Sequence, residues 1–239
     1  MKLDILAFGA HPDDVELGAG GLLAKEAAEG KKTGIIDLTR GEMGTRGTAE
    51  IRDLEAQEAA GILGSSVRIN LQMADGFFTN DAAHQESIAR LLRIYRPDIV
   101  IANAPEDRHP DHGKGSQLVR DACFLSGLRK WKIQDEKGQE LQAWRPKVLY
   151  HYIQFRELKP DLIVDISGYH EQKMESVRAH KSQFYDPDSK EPETLIASQE
   201  FFESVTYRAQ NYGRVIGVPY GEGYIADRTL GSPNLSSLI

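Results

Sequence analysis

The alternation of short apolar runs with longer amphipathic runs in the first half of the chain constrains its fold most strongly. Four apolar runs have the length of buried strands, and three runs with helical spacing lie between them. The strand-like runs are residues 3–10, 33–39, 67–71 and 98–104, and the helical runs are residues 18–29, 49–63 and 85–95. This order is typical of a parallel sheet with helices on both faces. The sequence therefore predicts an α/β fold with a mostly parallel sheet.

The second half of the chain has a weaker pattern. We expect a helix at 114–125, strands at 148–153 and 162–166, and helices at 169–182 and 195–212. The polar segment 130–143 contains a turn signal, and the sequence leaves open whether this segment forms a lid or a subunit contact. Because no internal repeat or linker stands out, residues 1–239 are expected to form a single domain.

Composition excludes several classes of protein. The chain is 40% hydrophobic and 27% charged, and no run approaches the ~20 apolar residues that cross a bilayer. A net charge of −7 without any Lys/Arg block argues against nucleic acid and membranes as partners. The single cysteine, Cys123, excludes a disulfide framework and favours a cytoplasmic location.

Two polar clusters follow two of the predicted strands. His-Pro-Asp-Asp at 11–14 comes after the first strand, and His-Pro-Asp-His at 109–112 follows the strand at 98–104. Ligands of open parallel sheets bind beyond the carboxyl ends of the strands. The fold prediction and the chemistry of these residues therefore indicate one shared site.

The clusters contain the donors of a metal site. His11 and Asp14 are three residues apart, where the first turn of a helix brings both side chains to one side, and His112 joins them across the sheet. Two imidazoles and one carboxylate form a catalytic type of zinc centre, with one position open for water. The sequence therefore predicts Zn2+ on these three residues, and Fe2+ fits the same ligands.

The other members of the clusters have catalytic roles available. Asp13, beside the ligand Asp14, is the candidate general base that takes a proton from water. His109 is expected to stabilise an oxyanion or to protonate the leaving group. Asp111 is expected to orient the His109 ring and to raise its pKa. Taken alone, either aspartate of the first cluster is better explained as a helix N-cap.

These motifs resemble the signatures of the LmbE-like, PIG-L-type zinc deacetylases. The resemblance rests on residues 9–16, the glycines at 18–21 and the cluster at 109–112. It continues through Thr-Arg-Gly-Glu at 39–42, Arg52 with Glu55, His-Lys-Ser-Gln at 180–183 and residues 217–224. It implies a Rossmann-like fold, the metal ligands and catalytic residues named above, and a homo-oligomer.

The resemblance also implies substrate contacts. Arg52 is expected to contact substrate hydroxyls or a carboxylate, whereas its spacing alone favours a helix-surface salt bridge with Glu55. Some members have a mobile tyrosine where this chain has Asp107, and Tyr185 is the expected substitute. Three further charged residues, each equally compatible with a solvated loop position, are expected to line the pocket: Glu42, Arg46 and Glu222.

The resemblance implies removal of an acetyl group from an N-acetylated amino sugar, a small-molecule substrate. Residues 41–47 and 217–224 are most similar to the branch that deacetylates N-acetylglucosaminyl malate in bacillithiol biosynthesis. The aglycone stays open at this stage, because malate, inositol, a free sugar or a chitooligosaccharide end presents the same acetamide.

Two other interpretations compete for the metal-site residues, and a nucleotide-binding interpretation of the nearby glycines fails. Non-haem iron oxygenases share the ligand types, but commonly take the first two ligands two residues apart on a β-rich scaffold. A sugar-binding module that retains a metal needs no base, so Asp13 argues against it. The glycines at 18, 20 and 21 lack the third glycine of a dinucleotide fingerprint, because position 23 is Leu23, and close packing of a helix explains them better.

Overall fold

A computed structural model describes residues 1–234 and 236 of the chain. Its strands are β1 Ile5–Gly9, β2 Thr33–Thr39, β3 Val67–Met73, β4 Ile99–Asn103, β5 Val148–Tyr152, β6 Leu162–Asp165 and β7 Gly221–Ala226. Its helices are α1 Asp14–Ala28, α2 Ala49–Ile62, α3 Ala82–Tyr95, α4 Pro110–Leu125, α5 His170–Ala179 and α6 Gln199–Ile216, with a short 3-10 helix at Leu195–Ala197. In the described part of the chain, no helix is long and apolar enough to span a bilayer.

The seven strands form one sheet in the order β3-β2-β1-β4-β5-β7-β6. The first five of these pair in parallel, and β7 runs antiparallel to both β5 and β6. The predicted mostly parallel α/β fold is confirmed. The sequence pattern missed β7, because its glycines at 221 and 223 interrupt the apolar run that marks a buried strand.

Alternate residues of the central strands point to opposite faces of the sheet, and helices cover both. Leu6 and Phe8 of β1 join an apolar cluster with residues of α3 and α4. Ile5 and Ala7 join a second cluster with residues of α1. Burial on both faces explains why this strand is apolar throughout.

The glycines of α1 allow close packing against the sheet, as the sequence suggested. A Cβ on Gly18 would lie 2.1 Å from the ring of Tyr152, and one on Gly21 would lie 2.6 Å from Ile166. Neither distance is compatible with a side chain. The residues that resemble a nucleotide motif therefore serve packing.

Several helix boundaries differ from the sequence prediction, and two of them are described here. Helix α4 begins at Pro110 rather than at 114, with proline in its first turn, so that His112 lies on the helix. The predicted helix at 195–212 is interrupted at Ser198, which is extended and caps α6 by accepting a hydrogen bond from the Phe201 amide.

The polar segment 130–143 packs at the edge of the sheet opposite the strands' carboxyl ends. The Arg93 guanidinium donates to the carbonyls of Ser126, Trp131 and Leu141. Just after the segment, the Trp144 indole donates to the carbonyl of Pro97, which precedes β4. The segment is therefore not a lid over the carboxyl ends of the strands, where the candidate site lies.

Candidate metal centre and active site

The two polar clusters meet at the carboxyl ends of β1 and β4. These strands pair directly, with Ile5 opposite Ile99, so the segments that follow them are neighbours. The ring centroids of His11 and His112 lie 5.5 Å apart, and those of His11 and His109 lie 4.6 Å apart.

Asp14 lies between two imidazoles at distances that suit a metal site. Its Oδ2 is 3.5 Å from Nδ1 of His11, and its Oδ1 is 3.2 Å from Nε2 of His112. Neighbouring ligand atoms of a tetrahedral zinc site with bonds of 2.0–2.1 Å are separated by roughly 3.4 Å. Each of these two separations is therefore compatible with neighbouring ligands of a zinc ion, and all three residues are buried.

Each imidazole of this set contacts a carboxylate through its other nitrogen. His11 Nε2 lies 3.1 Å from Oδ1 of Asp75, and His112 Nδ1 lies 2.9 Å from Oδ2 of Asp107. A carboxylate behind a histidine ligand fixes its tautomer and ring orientation. Sequence reasoning missed Asp75 altogether and named Asp107 only as the replacement for a tyrosine.

Asp14 is held by three hydrogen bonds. Its Oδ2 accepts from the backbone N–H of His11 and from Nδ2 of Asn103, both at 3.0 Å, and its Oδ1 accepts from Nε2 of Gln154 at 2.6 Å. Burial alone would raise the pKa of Asp14, but the charge of His112 and the contacts with His11 lower it well below its usual value. Asp14 is therefore a carboxylate, as a metal ligand must be.

The surroundings of the imidazoles favour positive charge. Burial opposes protonation of His112, but the charge of Asp14 and the hydrogen bond to Asp107 raise its pKa to about 9. For His11, burial is likewise outweighed by hydrogen bonds to Asp111, Asp14 and Asp75, which raise its pKa well above the usual value. A site with this excess of carboxylates is suited to a divalent cation.

Two groups of the described residues bring their metal-binding atoms within 4.8 Å of one another, and neither of them is the predicted set of His11, Asp14 and His112. One combines His11 with Asp75 and Asp111, and the other combines His11 with His109 and His112. His11 belongs to both groups and to the predicted one.

Asp13 is a buried and strained residue next to the ligand set. Its backbone φ of 129° is rare for a residue with a side chain and costs about 1–3 kcal/mol. It occupies the N-cap position of α1, but its side chain makes no capping hydrogen bond, so capping does not explain it. Burial raises the pKa of Asp13 to about 6 against the opposing charge of Arg52, a value suited to a general base near neutral pH.

The predicted partnership of Asp111 with the His109 ring is corrected by the structure. The Asp111 carboxylate accepts from the Gly76 N–H at 2.7 Å and lies 2.6 Å from Nζ of Lys114. Its backbone N–H, not its carboxylate, contacts His109, donating to Nδ1 at 3.3 Å. Burial, and then the charges of His11 and His112, lower the pKa of His109 instead of raising it.

A cavity of about 340 Å3 opens over this site. The predicted ligands, Asp13 and His109 all line it, and so do two of the predicted substrate-binding residues, Arg46 and Arg52. Arg46 donates to the Ser182 carbonyl at 2.8 Å and to Oγ of Ser189 at 2.7 Å.

The salt bridge between Arg52 and Glu55 that the spacing favoured does not form. Arg52 is buried and lies 3.1 Å from Oδ2 of Asp13. Glu55 instead accepts hydrogen bonds from the backbone N–H and the hydroxyl of Ser182, both at 2.7 Å.

Glu222 was expected to line the pocket, and this prediction is wrong. It is buried on β7, where its carboxylate accepts from the backbone N–H groups of Gly21 and Leu22. It also accepts from Nζ of Lys173 at 2.6 Å and from the Tyr224 hydroxyl at 2.8 Å. Glu222 therefore joins α1 and α5 to the sheet.

Glu42 and Tyr185 also lie outside the lining of the cavity. The Glu42 carboxylate accepts from the backbone N–H of Asp75 at 2.9 Å, so its contribution to the site is indirect. Tyr185 is 42% exposed on the surface, and the expected replacement of the mobile tyrosine is corrected accordingly.

Comparison with known proteins identifies the family. A family model described as PIG-L, GlcNAc-PI de-N-acetylase, matches residues 6–123. The diacetylchitobiose deacetylase of Thermococcus kodakarensis is 30% identical over 233 residues, covering 92% of this chain and 81% of that protein. The chain belongs to the PIG-L family. The family predicted from the motifs is thus confirmed, and with it the prediction of an amide hydrolase.

Two solved structures share the fold of this PIG-L protein along nearly its whole length. The conserved protein TT1542 from Thermus thermophilus is 37% identical with a TM-score of 0.85, covering 97% of this chain and 98% of that one. The N,N'-diacetylchitobiose deacetylase of Pyrococcus horikoshii is 27% identical with a TM-score of 0.79, covering 98% of this chain and 88% of that one.

Asp107, whose carboxylate contacts Nδ1 of His112, allows a test of the ligand set. Asp107→Ala is expected to weaken metal affinity by roughly 10- to 100-fold, because the His112 ring loses the group that fixes its tautomer. Competition with a chelator of known affinity measures the change. Glu136→Gln, an exposed charge on the 130–143 segment, serves as control. Unchanged affinity in Asp107→Ala would contradict His112 as a ligand.

Proposed function

We propose that this PIG-L protein is a zinc-dependent deacetylase of an N-acetylglucosamine glycoside with an acidic aglycone, with N-acetylglucosaminyl malate as the expected substrate. One observation carries the proposal: the buried carboxylate of Asp13 lies next to His11, Asp14 and His112, and all four residues line one cavity. The cytoplasmic location and the homo-oligomeric state expected from the sequence stay predictions.

We place the metal between His11 Nδ1, Asp14 and His112 Nε2. The separations of 3.5 Å and 3.2 Å between Asp14 and the two imidazoles support this choice. Asp111, which belongs to the alternative group with Asp75, is paired with the cation of Lys114 at 2.6 Å, and this charge disfavours a metal ion there. Zinc suits two imidazoles and a carboxylate in a tetrahedral site, and iron is the alternative ion.

The mechanism follows from the groups around the cavity. His11, Asp14 and His112 would hold the zinc ion, which would supply polarisation of the acetamide carbonyl and a lower pKa for nearby water. Asp13 takes the proton of the attacking water and returns it to the amine as the C–N bond breaks, releasing acetate. Because the Asp111 N–H donates to Nδ1 of His109, a neutral His109 ring carries its proton on Nε2. That N–H is the donor that stabilises the oxyanion.

Arg108 supports an acidic aglycone. It lines the cavity with its guanidinium 5.1 Å above the Phe155 ring. In the part of the chain that the structure describes, no carboxylate forms an ion pair with it, whereas Arg46 and Arg52 are bonded to protein groups. A cation in a substrate cavity that has no carboxylate of the described residues as its partner is suited to a ligand carboxylate.

Substrate comparison tests the proposal. Zinc-loaded enzyme is assayed for free amine release from N-acetylglucosaminyl malate, N-acetylglucosamine and diacetylchitobiose, beside a chelated control. Chelator-sensitive turnover that prefers the malate glycoside supports the full proposal. Preference for a neutral sugar keeps the chemistry and removes the acidic aglycone. No turnover with metal bound supports the sugar-binding alternative.

Arg108→Met is expected to lower kcat/KM for the malate glycoside by roughly 10- to 100-fold, as a charged hydrogen bond of about 1.5–3 kcal/mol predicts. Methionine keeps an apolar contact with Phe155 while removing the charge. Turnover of N-acetylglucosamine, which has no carboxylate, should stay unchanged. Arg129→Met, at an exposed position, is the control. Equal losses on both substrates would contradict an aglycone contact.

A further inference from the structure

The strained backbone of Asp13 must be held by its surroundings. Its φ of 129° places it at the junction between β1 and α1, one residue before the helix begins. The backbone contributes one helical bond, from the Leu17 N–H to the Asp13 carbonyl at 3.1 Å. This bond does not set the direction of the carboxylate.

The carboxylate is held by Arg52, which is itself fixed on both sides. Nη2 of Arg52 lies 3.1 Å from Oδ2 of Asp13 and donates to the Pro12 carbonyl at 2.9 Å. Nη1 donates to the Gly41 carbonyl at 2.9 Å. The guanidinium therefore joins the backbone before Asp13, the Asp13 carboxylate and the loop after β2.

Gly41 leaves the space that this arrangement needs. A Cβ at this position would lie 1.9 Å from Nη1 and 2.3 Å from Cζ of Arg52. Its N–H donates to Oγ1 of Thr39, whose hydroxyl donates to the Ala10 carbonyl. The loop is thus attached to the segment that leads to Asp13, and a side chain at position 41 would displace the guanidinium.

We infer that Arg52 is a positioning residue for the general base, and that Gly41 is required so that Arg52 can reach it. The inference rests on the proposed role of Asp13. It differs from the expectation that Arg52 mainly contacts substrate. Three of the five guanidinium N–H groups already bond to protein, and Nε is buried without a partner among the described residues.

The kinetic test uses zinc-loaded Arg52→Ala and Gly41→Ala on N-acetylglucosaminyl malate and N-acetylglucosamine. Both variants should lose roughly 10- to 100-fold in kcat on both substrates with little change in KM, since misplacement of a catalytic group by about 1 Å has effects of this size. Millimolar guanidinium ion should restore part of the kcat of Arg52→Ala. A rise in KM confined to the malate glycoside would overturn the inference and make Arg52 an aglycone contact.

Two control variants separate positioning from general damage. Gly30→Ala imposes a side chain at φ of +85° with nothing within 4 Å, so it reproduces the backbone strain of Gly41→Ala without the clash. Arg40→Ala removes a neighbouring arginine that pairs with Asp53. Both should keep wild-type kcat. A matching loss of kcat in Gly30→Ala would show that strain alone explains Gly41→Ala.

A crystal structure of zinc-loaded Arg52→Ala tests the inference without turnover. The Asp13 carboxylate should leave its wild-type position or become disordered while the ligand residues stay in place. An unmoved Asp13 would overturn the inference, even if the wild-type enzyme proved inactive on both sugars. Inactivity of the wild type with a displaced Asp13 in the variant would count against the proposed function alone.

Discussion

Asp13→Asn is expected to lower kcat by a factor of about 10²–10⁴, the usual contribution of a general base, while zinc remains bound. The amide cannot accept the proton of water. It keeps the size of the carboxylate and an oxygen that accepts from Arg52, and asparagine tolerates positive φ better than most residues. The ligand atoms of His11, Asp14 and His112 are unchanged.

The measurement combines kcat on the preferred substrate with the zinc content of the same sample. Asp188→Asn, at an exposed loop position, is the matched control and should behave as wild type. Wild-type kcat in Asp13→Asn would remove Asp13 as the base. Loss of zinc together with activity would instead assign Asp13 to the metal site.

His112→Ala is expected to lose both zinc and activity. The variant removes one of the three proposed ligands and also leaves Asp14 without the imidazole that lies 3.2 Å from its Oδ1. Zinc content after dialysis should fall from stoichiometric to near zero, and turnover should fall with it. His84→Ala, which removes a histidine paired with Asp81 on the surface of α3, is the control.

The same variant discriminates between the candidate ligand groups. The group of His11, Asp75 and Asp111 does not include His112, so a metal bound there should survive the substitution. Stoichiometric zinc in His112→Ala would therefore move the metal to that group. Zinc loss in both His112→Ala and Asp14→Ala would support the group placed here.

Local patterns predicted the elements that carry the ligands. The predicted run at 3–10 contains β1, and the predicted run at 98–104 contains β4. Each strand is followed by its polar cluster. Because parallel neighbours place their carboxyl ends together, the joint location of the clusters followed from the alternation of strands and helices. The antiparallel strand β7 was missed, since its glycine-rich composition has no periodic signal.

Residues that support the ligands could not be predicted in this way. Asn103 ends β4 and Gln154 follows β5, and they bond to Asp14 across 89 and 140 positions of the chain. Each is a single polar residue near a strand end, with no repeating pattern around it. Only the strand order β1-β4-β5 brings them to Asp14 and the candidate metal site.

Charged loop residues were the least predictable. Charged side chains occur both in ligand pockets and in solvated loops, so their type does not predict which position they take. Of Glu42, Arg46 and Glu222, only Arg46 lines the cavity. Glu222 lies in the core instead, because β7 inserts between β5 and β6 and carries it beneath α1.

The sequence alone determined the parallel sheet, the two clusters and their shared edge, since these depend on local periodicity and on the polarity of strands. Tertiary structure decided which polar side chains meet there, because such contacts depend on strand order and on space that distant residues leave open.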